Sequence, residues 1–404
     1  MIVLCILLFC FGVVLWYKIA SNYDQPINHV NLFTVSWLFI CVGALFFPLE
    51  VKLQGETYVV LILSWIFFLI GSYKRKNKET VDQTCSRYNF FNTRLVLFFL
   101  IVLSVISYIF SLGDIISSIS DIETWALLRR ENLYSENTSD NIFYTLFARN
   151  YSIYIPLAIY LFYKGELKNI FFYLILIYGL LTSIINFSRA PLLELIIVTV
   201  ISITLVRELK SIPLVQIMVI IVLFIAFFTL TQSVLYSFNT YATFDPFYEI
   251  KMYLFGGINN YQILLKGNYP DHKVYSSPYY SLDFINYIIQ RLGFIKTYPD
   301  YVREWNLITE SNVYTYLDAF TLDFGVVGAF SGSLIIGLIG KGIYAAYEKN
   351  KSLISITLYS LVCYYLVMSF ANNEFIRFSF VLIVIKILVV DFICRKKSFK
   401  HGYR

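Results

Sequence analysis

Residues 213–235 read PLVQIMVIIVLFIAFFTLTQSVL, a run without a charged side chain. A membrane-spanning helix needs roughly 20 predominantly apolar residues, so this run predicts a helix that crosses a bilayer. The run ends at Tyr236, and comparable apolar length does not return until about Val313. The polar and aromatic segment between these two points is the largest non-membrane part of the chain, and we expect it to fold outside the bilayer.

The apolar pattern extends in both directions from this run. The chain of 404 residues is 58% hydrophobic and only 14% charged, which is too apolar for a soluble domain of this size. We therefore predict an all-α polytopic membrane protein that forms a single transmembrane domain over residues 1–404. The sequence predicts eleven transmembrane helices, at residues 1–17, 31–48, 56–73, 94–111, 143–163, 168–187, 190–206, 213–235, 319–345, 352–370 and 376–394.

The positive charges lie on alternate connections between these spans. Lysines and arginines follow spans three, five, seven and nine and also close the chain, as in Lys74, Arg75, Lys76, Lys164, Lys168, Arg207, Lys210, Lys349, Lys351, Arg395, Lys396 and Arg404. With eleven spans these groups all fall on one side, which is the positive-inside pattern of membrane proteins. The pattern accounts for the net charge of +6 without a nucleic-acid partner, and it predicts a cytoplasmic C-terminus and an N-terminus on the outer side.

A first outer segment covers residues 112–142. Its apolar side chains recur at near-helical spacing between Ile115 and Leu128. This spacing predicts an amphipathic helix that lies in the membrane interface, with Arg130 at the depth of the lipid headgroups. A plain connector that follows the membrane surface is the alternative.

A second, larger outer segment covers residues 236–318 and holds 14 of the 34 tyrosines of the chain. Aromatic faces beside hydrogen-bonding groups suit sugar rings, and they also suit the aromatic belt at a membrane surface. Gly-Gly and X-Pro pairs mark turns along the segment. Between these turns, residues 246–265 and 280–292 predict short helices, so we expect this loop to be folded.

The stretch Asn186-Phe187-Ser188-Arg189-Ala190-Pro191 separates spans six and seven near the outer surface. Proline suits the first turn of the following helix, whose free backbone N–H groups favour an anion. Arg189 would add a bidentate donor for phosphate. The stretch therefore predicts a phosphate or pyrophosphate site; the alternative is that Arg189 pairs with Glu194 or with lipid headgroups.

Two further ionisable groups lie at span ends, where charges are functional candidates by default. Arg377 opens the last span and can form a helical pair with Glu374. Asp323 lies at a span entrance, and we expect it to be either a structural cap or a wall of an outer cavity. The glycines that follow it permit close helix packing, at Gly325, Gly328, Gly332 and Gly337.

Catalytic motifs of soluble enzymes are absent from the sequence. It contains no P-loop, GxSxG or HExxH pattern, and the three histidines are dispersed at His29, His272 and His401. We therefore predict no metal site and no cofactor. The predicted cytoplasmic loops are too short for a nucleotide-sugar-binding domain, so any chemistry is expected outside, with its energy carried by the substrate.

Several short segments around the large loop carry a family resemblance. They are Phe187-Ser188-Arg189, Tyr253-Leu254-Phe255-Gly256-Gly257, Asn312-Val313-Tyr314-Thr315 and Asp323-Phe324-Gly325-Val326-Val327-Gly328. Together with the topology, they resemble the Wzy-type oligosaccharide repeat-unit polymerases of O-antigen and capsule biosynthesis. The resemblance implies a GT-C-like glycosyltransferase of the bacterial inner (cytoplasmic) membrane. The large loop, the segment 112–142 and the N-terminus would then be periplasmic.

The resemblance also implies the substrates and partners. The enzyme would join undecaprenyl-diphosphate-linked oligosaccharides without nucleotide or metal, together with a flippase and a chain-length regulator. A hydroxyl of the incoming unit would attack the anomeric carbon of the growing chain, and lipid diphosphate would leave.

Two chemical needs of this reaction select candidate residues. The leaving diphosphate needs cations, for which Arg189 and Arg291 come first and Arg130, Arg303 and Arg377 follow. The attacking hydroxyl benefits from a general base, for which the candidates are Glu304 and Glu310, then His272 and Asp245. Arg130, Arg303 and Arg377 are also candidates for substrate binding, together with Asp245, Asp323 and Tyr253.

Two other functions stay open at this point. An O-antigen ligase-like transferase shares the architecture and moves a finished polymer to a lipid core, and His272, the only histidine of the outer loop, would favour it. A polysaccharide transporter or flippase would show broken helices, charges near the bilayer midplane and inverted repeats. No internal repeat is evident in the sequence.

Overall fold

The computed structural model describes residues 1–47, 53–75, 88–116, 147, 150–185, 189–209, 225–226, 229, 245–267, 280–294, 313–371, 374–376 and 378–395. Within these ranges every regular element is a helix, as the sequence predicts. In chain order the α-helices are α1 (Ile2–Ala20), α2 (His29–Phe46), α3 (Gly55–Gly71), α4 (Phe90–Ile116), α5 (Tyr151–Tyr163), α6 (Asn169–Ile185), α7 (Arg189–Arg207), α8 (Pro246–Leu265), α9 (Asp283–Arg291), α10 (Leu317–Asn350), α11 (Leu353–Val367) and α12 (Phe378–Cys394). Short 3₁₀ turns lie at Tyr280–Leu282, Met368–Phe370 and Glu374–Ile376.

Six helices in these ranges are long and apolar enough to cross a membrane, at Ile2–Ala20, His29–Phe46, Phe90–Ile109, Ala190–Arg207, Leu317–Asn350 and Leu353–Phe370. Three shorter apolar helices occur at Gly55–Gly71, Tyr151–Tyr163 and Asn169–Ser183. These helices confirm an α-helical membrane protein. The count of eleven spans stays a prediction, and so does the side of the membrane on which each terminus lies. The predicted span at 213–235 and the amphipathic segment at 112–142 lie almost entirely outside the described residues.

The chain divides into two compact units. The first comprises Met1–Val81, Phe247–Ala346 and Val362–Val384, and the second comprises Asp82–Pro246, Tyr347–Leu361 and Ile385–Arg404. Among the described helices, the unit boundaries fall within α8, α10, α11 and α12. The predicted single domain stays a prediction.

An aromatic core holds the first unit together. The rings of Phe33 and Phe68 lie 3.9 Å apart, and Trp37 meets Tyr316 edge-on at 5.3 Å. These large rings are fully buried, and the edge-to-face contact between Trp37 and Tyr316 adds stability beyond the burial of apolar area.

Close backbone contact joins α3 to α10 within this unit. A Cβ atom on Gly337 would overlap the carbonyl oxygen of Phe68, and one on Gly71 would overlap that of Leu334. The predicted packing role of Gly337 is therefore confirmed. A Cβ on Gly328 or Gly332 would instead meet Phe320 of the same helix.

The helix α10 is broken at Gly325, whose φ of 62° and ψ of −157° are not helical. This conformation is essentially restricted to glycine. The predicted packing role is wrong for Gly325, because nothing lies within 4 Å of the place where its Cβ would be. Residues 326–350 after the break are long enough to cross a hydrocarbon core of about 30 Å at roughly 1.5 Å per residue.

In the second unit, α5 packs against α4, α6 and α7. Residues 151–161 of α5 are all buried. Hydroxyl pairs link α4 to its neighbours, because Tyr108 contacts the hydroxyl of Tyr151 at 2.9 Å and Ser104 contacts that of Tyr178 at 2.8 Å. Such pairs satisfy polar groups that would otherwise be costly in an apolar interior.

Candidate functional site

The second half of α8 is enclosed on every side. All residues from Phe255 to Ile263 are buried, including the consecutive polar side chains of Asn259, Asn260, Tyr261 and Gln262. A surface helix would bury only one stripe of its residues. The polar groups of this stretch must therefore find partners inside the protein.

Three of these polar side chains join α8 to other elements. The Oε1 atom of Gln262 accepts hydrogen bonds from the backbone N–H of Gln54 at 2.5 Å and from the hydroxyl of Thr57 at 3.2 Å. Gln54 is the N-cap residue of α3. The amide of Asn260 donates to the carbonyl oxygen of Val313 at 2.8 Å. The helix α8 is thereby held to the start of α3 and to the chain that leads into α10.

The hydroxyl of Tyr261 makes the third link, to the hydroxyl of Thr321 at 3.0 Å. Burial raises the pKa of Tyr261 well above its usual range; the hydrogen bond with Thr321 opposes this shift and the charge of Asp318 adds to it. The phenol is therefore neutral throughout the physiological pH range and keeps its proton for hydrogen bonding.

The start of α10 carries a buried carboxylate. Asp318 is fully buried, and its Oδ2 atom accepts from the hydroxyl of Thr315 at 2.7 Å. Thr315 in turn accepts from the backbone N–H of Leu317 at 3.2 Å. A threonine followed three residues later by an acidic residue is typical of a helix start, where both side chains can satisfy free N–H groups.

The end of α11 closes the same region. The backbone N–H of Tyr316 donates to the carbonyl of Ser369 at 2.8 Å, and a Cβ on Gly257 would overlap the carbonyl oxygen of Phe370. Tyr253 meets the ring of Phe370 edge-on at 6.2 Å. We call the meeting of residues 255–263, 313–318 and 368–370 the α8 junction.

Unused hydrogen-bonding capacity remains in the α8 junction. The Oδ1 atom of Asn259 and the hydroxyl of Ser369 are buried without a hydrogen-bond partner among the described residues. Asn259 uses its amide group locally, on the carbonyl of Phe255 at 3.1 Å. Orphaned buried acceptors are uncommon and call for an explanation, so the junction is a candidate site for a polar group.

The carboxylate of Asp323 caps the second helix of the loop. Its two oxygens accept from the backbone N–H groups of Tyr280 at 2.7 Å and Ser281 at 2.6 Å. These residues begin the 3₁₀ turn that runs into α9, where free N–H groups need acceptors and an anion is favoured. Of the two expected roles, the structure gives Asp323 that of a cap, although the capped helix is α9 rather than its own.

We expect Asp323→Ala to loosen residues 280–291, because two backbone N–H groups lose charged acceptors. Loss of a cap of this kind costs about 1–2 kcal/mol of local stability. Asp323→Asn keeps one acceptor oxygen and should give an intermediate result. Amide hydrogen exchange across 280–291 measures the effect, and protection unchanged in the alanine variant would show that this cap does not stabilise α9.

The other candidate residues of the loop are partly described. Arg291 is the last residue of α9 and is exposed, at the end where a positive charge is favoured by the helix dipole. Asp323 caps the opposite end of this helix. The side chains of Arg291 and Asp323 are therefore separated by a helix that is roughly 18 Å long. Asp245 is exposed and directly precedes Pro246, the first residue of α8.

Arg189 begins α7 in the second unit, as expected for a residue where one span gives way to the next. Only the backbone of Arg189 is described. Six further candidates lie outside the described residues, namely Arg130, His272, Arg303, Glu304, Glu310 and Arg377. In the part of the chain that the structure describes, no three His, Cys, Asp or Glu side chains come together as a metal site.

Sequence reasoning singled out Phe255–Gly257 and Val313–Thr315 of the α8 junction through the family resemblance, but it missed the buried polar side chains that bond the junction together. Asn259, Asn260 and Gln262 resemble the surface of a polar helix when only composition is considered. The spacing of Thr315 and Asp318 was a usable signal for the start of α10. Neither a protein-family model, nor a curated protein, nor a solved structure matches this chain.

Proposed function

We propose that this chain is a membrane glycosyltransferase that joins undecaprenyl-diphosphate-linked oligosaccharide units in O-antigen or capsule biosynthesis. The reaction would take place at the periplasmic face of the inner membrane. The observation that carries the proposal is the α8 junction, where a polar, tyrosine-bearing loop helix is bonded to the ends of apolar helices. A substrate with a hydrocarbon tail and a sugar head needs both environments side by side.

The hydrogen bonds of Gln262 and Asp323 support an active role for the loop. They tie α8 to the start of α3 and α9 to α10, so the helices of the loop have fixed positions within the first unit. Binding and catalytic groups act best when a rigid scaffold positions them. A passive connector between two spans would not need these contacts.

In the proposed reaction a hydroxyl of the incoming unit attacks the anomeric carbon of the growing chain. A new glycosidic C–O bond forms, the C–O bond to the lipid diphosphate breaks, and the hydroxyl proton passes to a base. Arg189 and Arg291 would stabilise the negative charge that develops on the leaving diphosphate. Glu304 and Glu310 are the first candidates for the base.

Deletion of the gene in its native host tests the proposal. We expect the ladder of surface polysaccharide on a gel to collapse to a single repeat unit, and a plasmid copy should restore the long chains. Long polymer that is retained but unattached would reject a polymerase in favour of a ligase. Unchanged attached polymer would reject both transferases.

A further inference from the structure

A polar pocket lies in the second unit, where the chain turns from α5 into α6. It has a volume of about 640 Å³, which is within the range of about 300–1,000 Å³ typical of ligand sites. Its lining comes from the start of α4, the end of α5 and the start of α6, and includes Arg94, Phe162, Glu166, Leu167 and Lys168. We call it the α5–α6 pocket.

The backbone of the turn is fixed by its own hydrogen bonds. Gly165 has a φ of 72°, in the left-handed region that favours glycine. Its N–H donates to the carbonyl of Phe162 at 3.0 Å, and the N–H of Glu166 donates to that of Leu161 at 2.8 Å. This pair of bonds is the Schellman ending of a helix. The backbone that carries the pocket side chains is therefore ordered without a ligand.

Positive charge dominates the α5–α6 pocket. Among the described residues that line it, Arg94 and Lys168 are cationic and Glu166 is the one carboxylate. Arg94 forms an ion pair with Glu166, yet its side chain is 53% exposed, and a guanidinium has five N–H donors. Lys164 in the same turn adds a further positive charge and lies over the ring of Tyr160 at 5.7 Å. The pocket therefore suits an anion.

The positive-inside pattern alone does not require such a pocket. That pattern asks only for cations in a connection between spans. Here a cation from α4 is brought to a turn that lies 72 residues later in the chain, and the cations share one concave surface. The arrangement is that of a basic pocket between membrane helices, which is a known way of binding lipid headgroups.

Exposed apolar side chains continue from the pocket along both neighbouring helices. On α4, Phe98 follows Arg94 by four residues, so the two share a face, and Phe98 is exposed. On α6, Ile170 and Leu174 share a face in the same way, and both are exposed. A small soluble anion would make no use of these surfaces, whereas a molecule with an anionic head and hydrocarbon chains matches both parts.

The length of these surfaces fits one leaflet of a bilayer. The hydroxyls of Ser104 on α4 and Tyr178 on α6 meet at 2.8 Å, so the two helices are still in contact at this level. The contact lies roughly ten residues beyond the pocket on each helix, or about 15 Å. This is half of a hydrocarbon core of about 30 Å, the depth that the acyl chains of one phospholipid reach.

We propose that the α5–α6 pocket binds the headgroup of an anionic phospholipid. The phosphate contacts Arg94 and Lys168, and the acyl chains lie along α4 and α6. In the predicted topology this lipid belongs to the inner leaflet, on the side of the membrane opposite the large loop. The site therefore does not depend on the proposed glycosyltransferase. A zwitterionic lipid fits less well, because its amine would meet the cations of the pocket.

Native mass spectrometry of the full-length protein in detergent tests the site. The protein is titrated with phosphatidylglycerol and with phosphatidylethanolamine that has the same acyl chains, and we expect phosphatidylglycerol to bind more tightly. Lys168→Ala should weaken its binding about fivefold, equivalent to roughly 1 kcal/mol, the contribution of one basic residue near an anionic lipid. Glu166→Gln should strengthen it, because a carboxylate that repels the phosphate is removed.

Two control variants change the same charges elsewhere. Lys18→Ala removes one positive charge and Asp24→Asn removes one negative charge, both at exposed positions of the first unit that the topology predicts on the same side of the membrane. We expect neither control to alter the binding of phosphatidylglycerol. A response confined to the pocket variants then cannot come from the total charge of the protein.

Equal responses in the pocket and control variants would overturn the proposal, and so would equal affinity for the two lipids. A merely structural ion pair between Arg94 and Glu166 predicts that Glu166→Gln gains no affinity, which would also contradict it. Glycerophosphoglycerol, the same headgroup without acyl chains, should bind at least tenfold more weakly than the lipid. Equal binding would show a site for a soluble phosphate instead. If Lys168→Ala fails to fold, the opposite sign expected for Glu166→Gln still decides the question.

Discussion

Replacement of Gly337 by alanine is expected to lower the stability of the protein strongly, although it adds only one methyl group. The new Cβ would overlap the carbonyl oxygen of Phe68 on α3, and a backbone atom cannot turn aside as a flexible side chain can. Overpacking of this kind costs about 1–3 kcal/mol. We expect a lower thermal transition in detergent and a smaller monodisperse fraction in size-exclusion chromatography.

The matched control is Gly342→Ala in the same helix, where nothing lies within 4 Å of the added Cβ. Alanine favours a helix over glycine by roughly 1 kcal/mol, so this variant should be as stable as the parent or more stable. If Gly337→Ala were equally stable, α3 and α10 would not be packed as closely as their backbones indicate.

The largest expected effect on activity comes from the two arginines nominated for the leaving diphosphate. Removal of a group that stabilises developing charge lowers the rate by roughly 10²–10³-fold, so Arg189→Ala and Arg291→Ala should each shift the surface polysaccharide to short chains. Lysine at either position keeps the charge but loses the bidentate geometry, and should restore chain length only in part.

Arg207→Ala serves as the control for this pair. Arg207 is the exposed last residue of α7, the helix that Arg189 begins, so the control changes the same charge on the same helix. We expect normal chain lengths from it. Normal chain lengths from both Arg189→Ala and Arg291→Ala, at normal protein levels, would show that the assignment of these arginines is wrong.

Local signals allowed the loop helices to be predicted from the sequence. The bounds of α8 at 246–265 were predicted correctly, because Pro246 suits a first helical turn and apolar residues recur behind it. The second predicted helix, at 280–292, ends at Arg291 in the structure. Both predictions rest on turn residues and spacing, which act over a few positions.

The contacts of these helices could not be predicted in the same way. Asp323 was recognised as a charged residue at a span entrance, but its partners Tyr280 and Ser281 lie more than 40 residues earlier. Likewise, Gln262 bonds to Gln54, which lies 208 residues earlier in the chain. Composition and periodicity specify which residues need partners, whereas the partners are set by the tertiary fold.

The break at Gly325 also constrains how this sequence can diverge. At lipid-facing positions Leu, Ile, Val and Phe can replace one another. The sequences of two relatives therefore soon lose recognisable similarity over most of such a chain. A φ of 62° with a ψ of −157° admits essentially no residue with a side chain, and the acidic cap lies two positions before it. We therefore expect distant relatives to keep this Asp-X-Gly pair after a long loop as a signature that outlasts the helices around it.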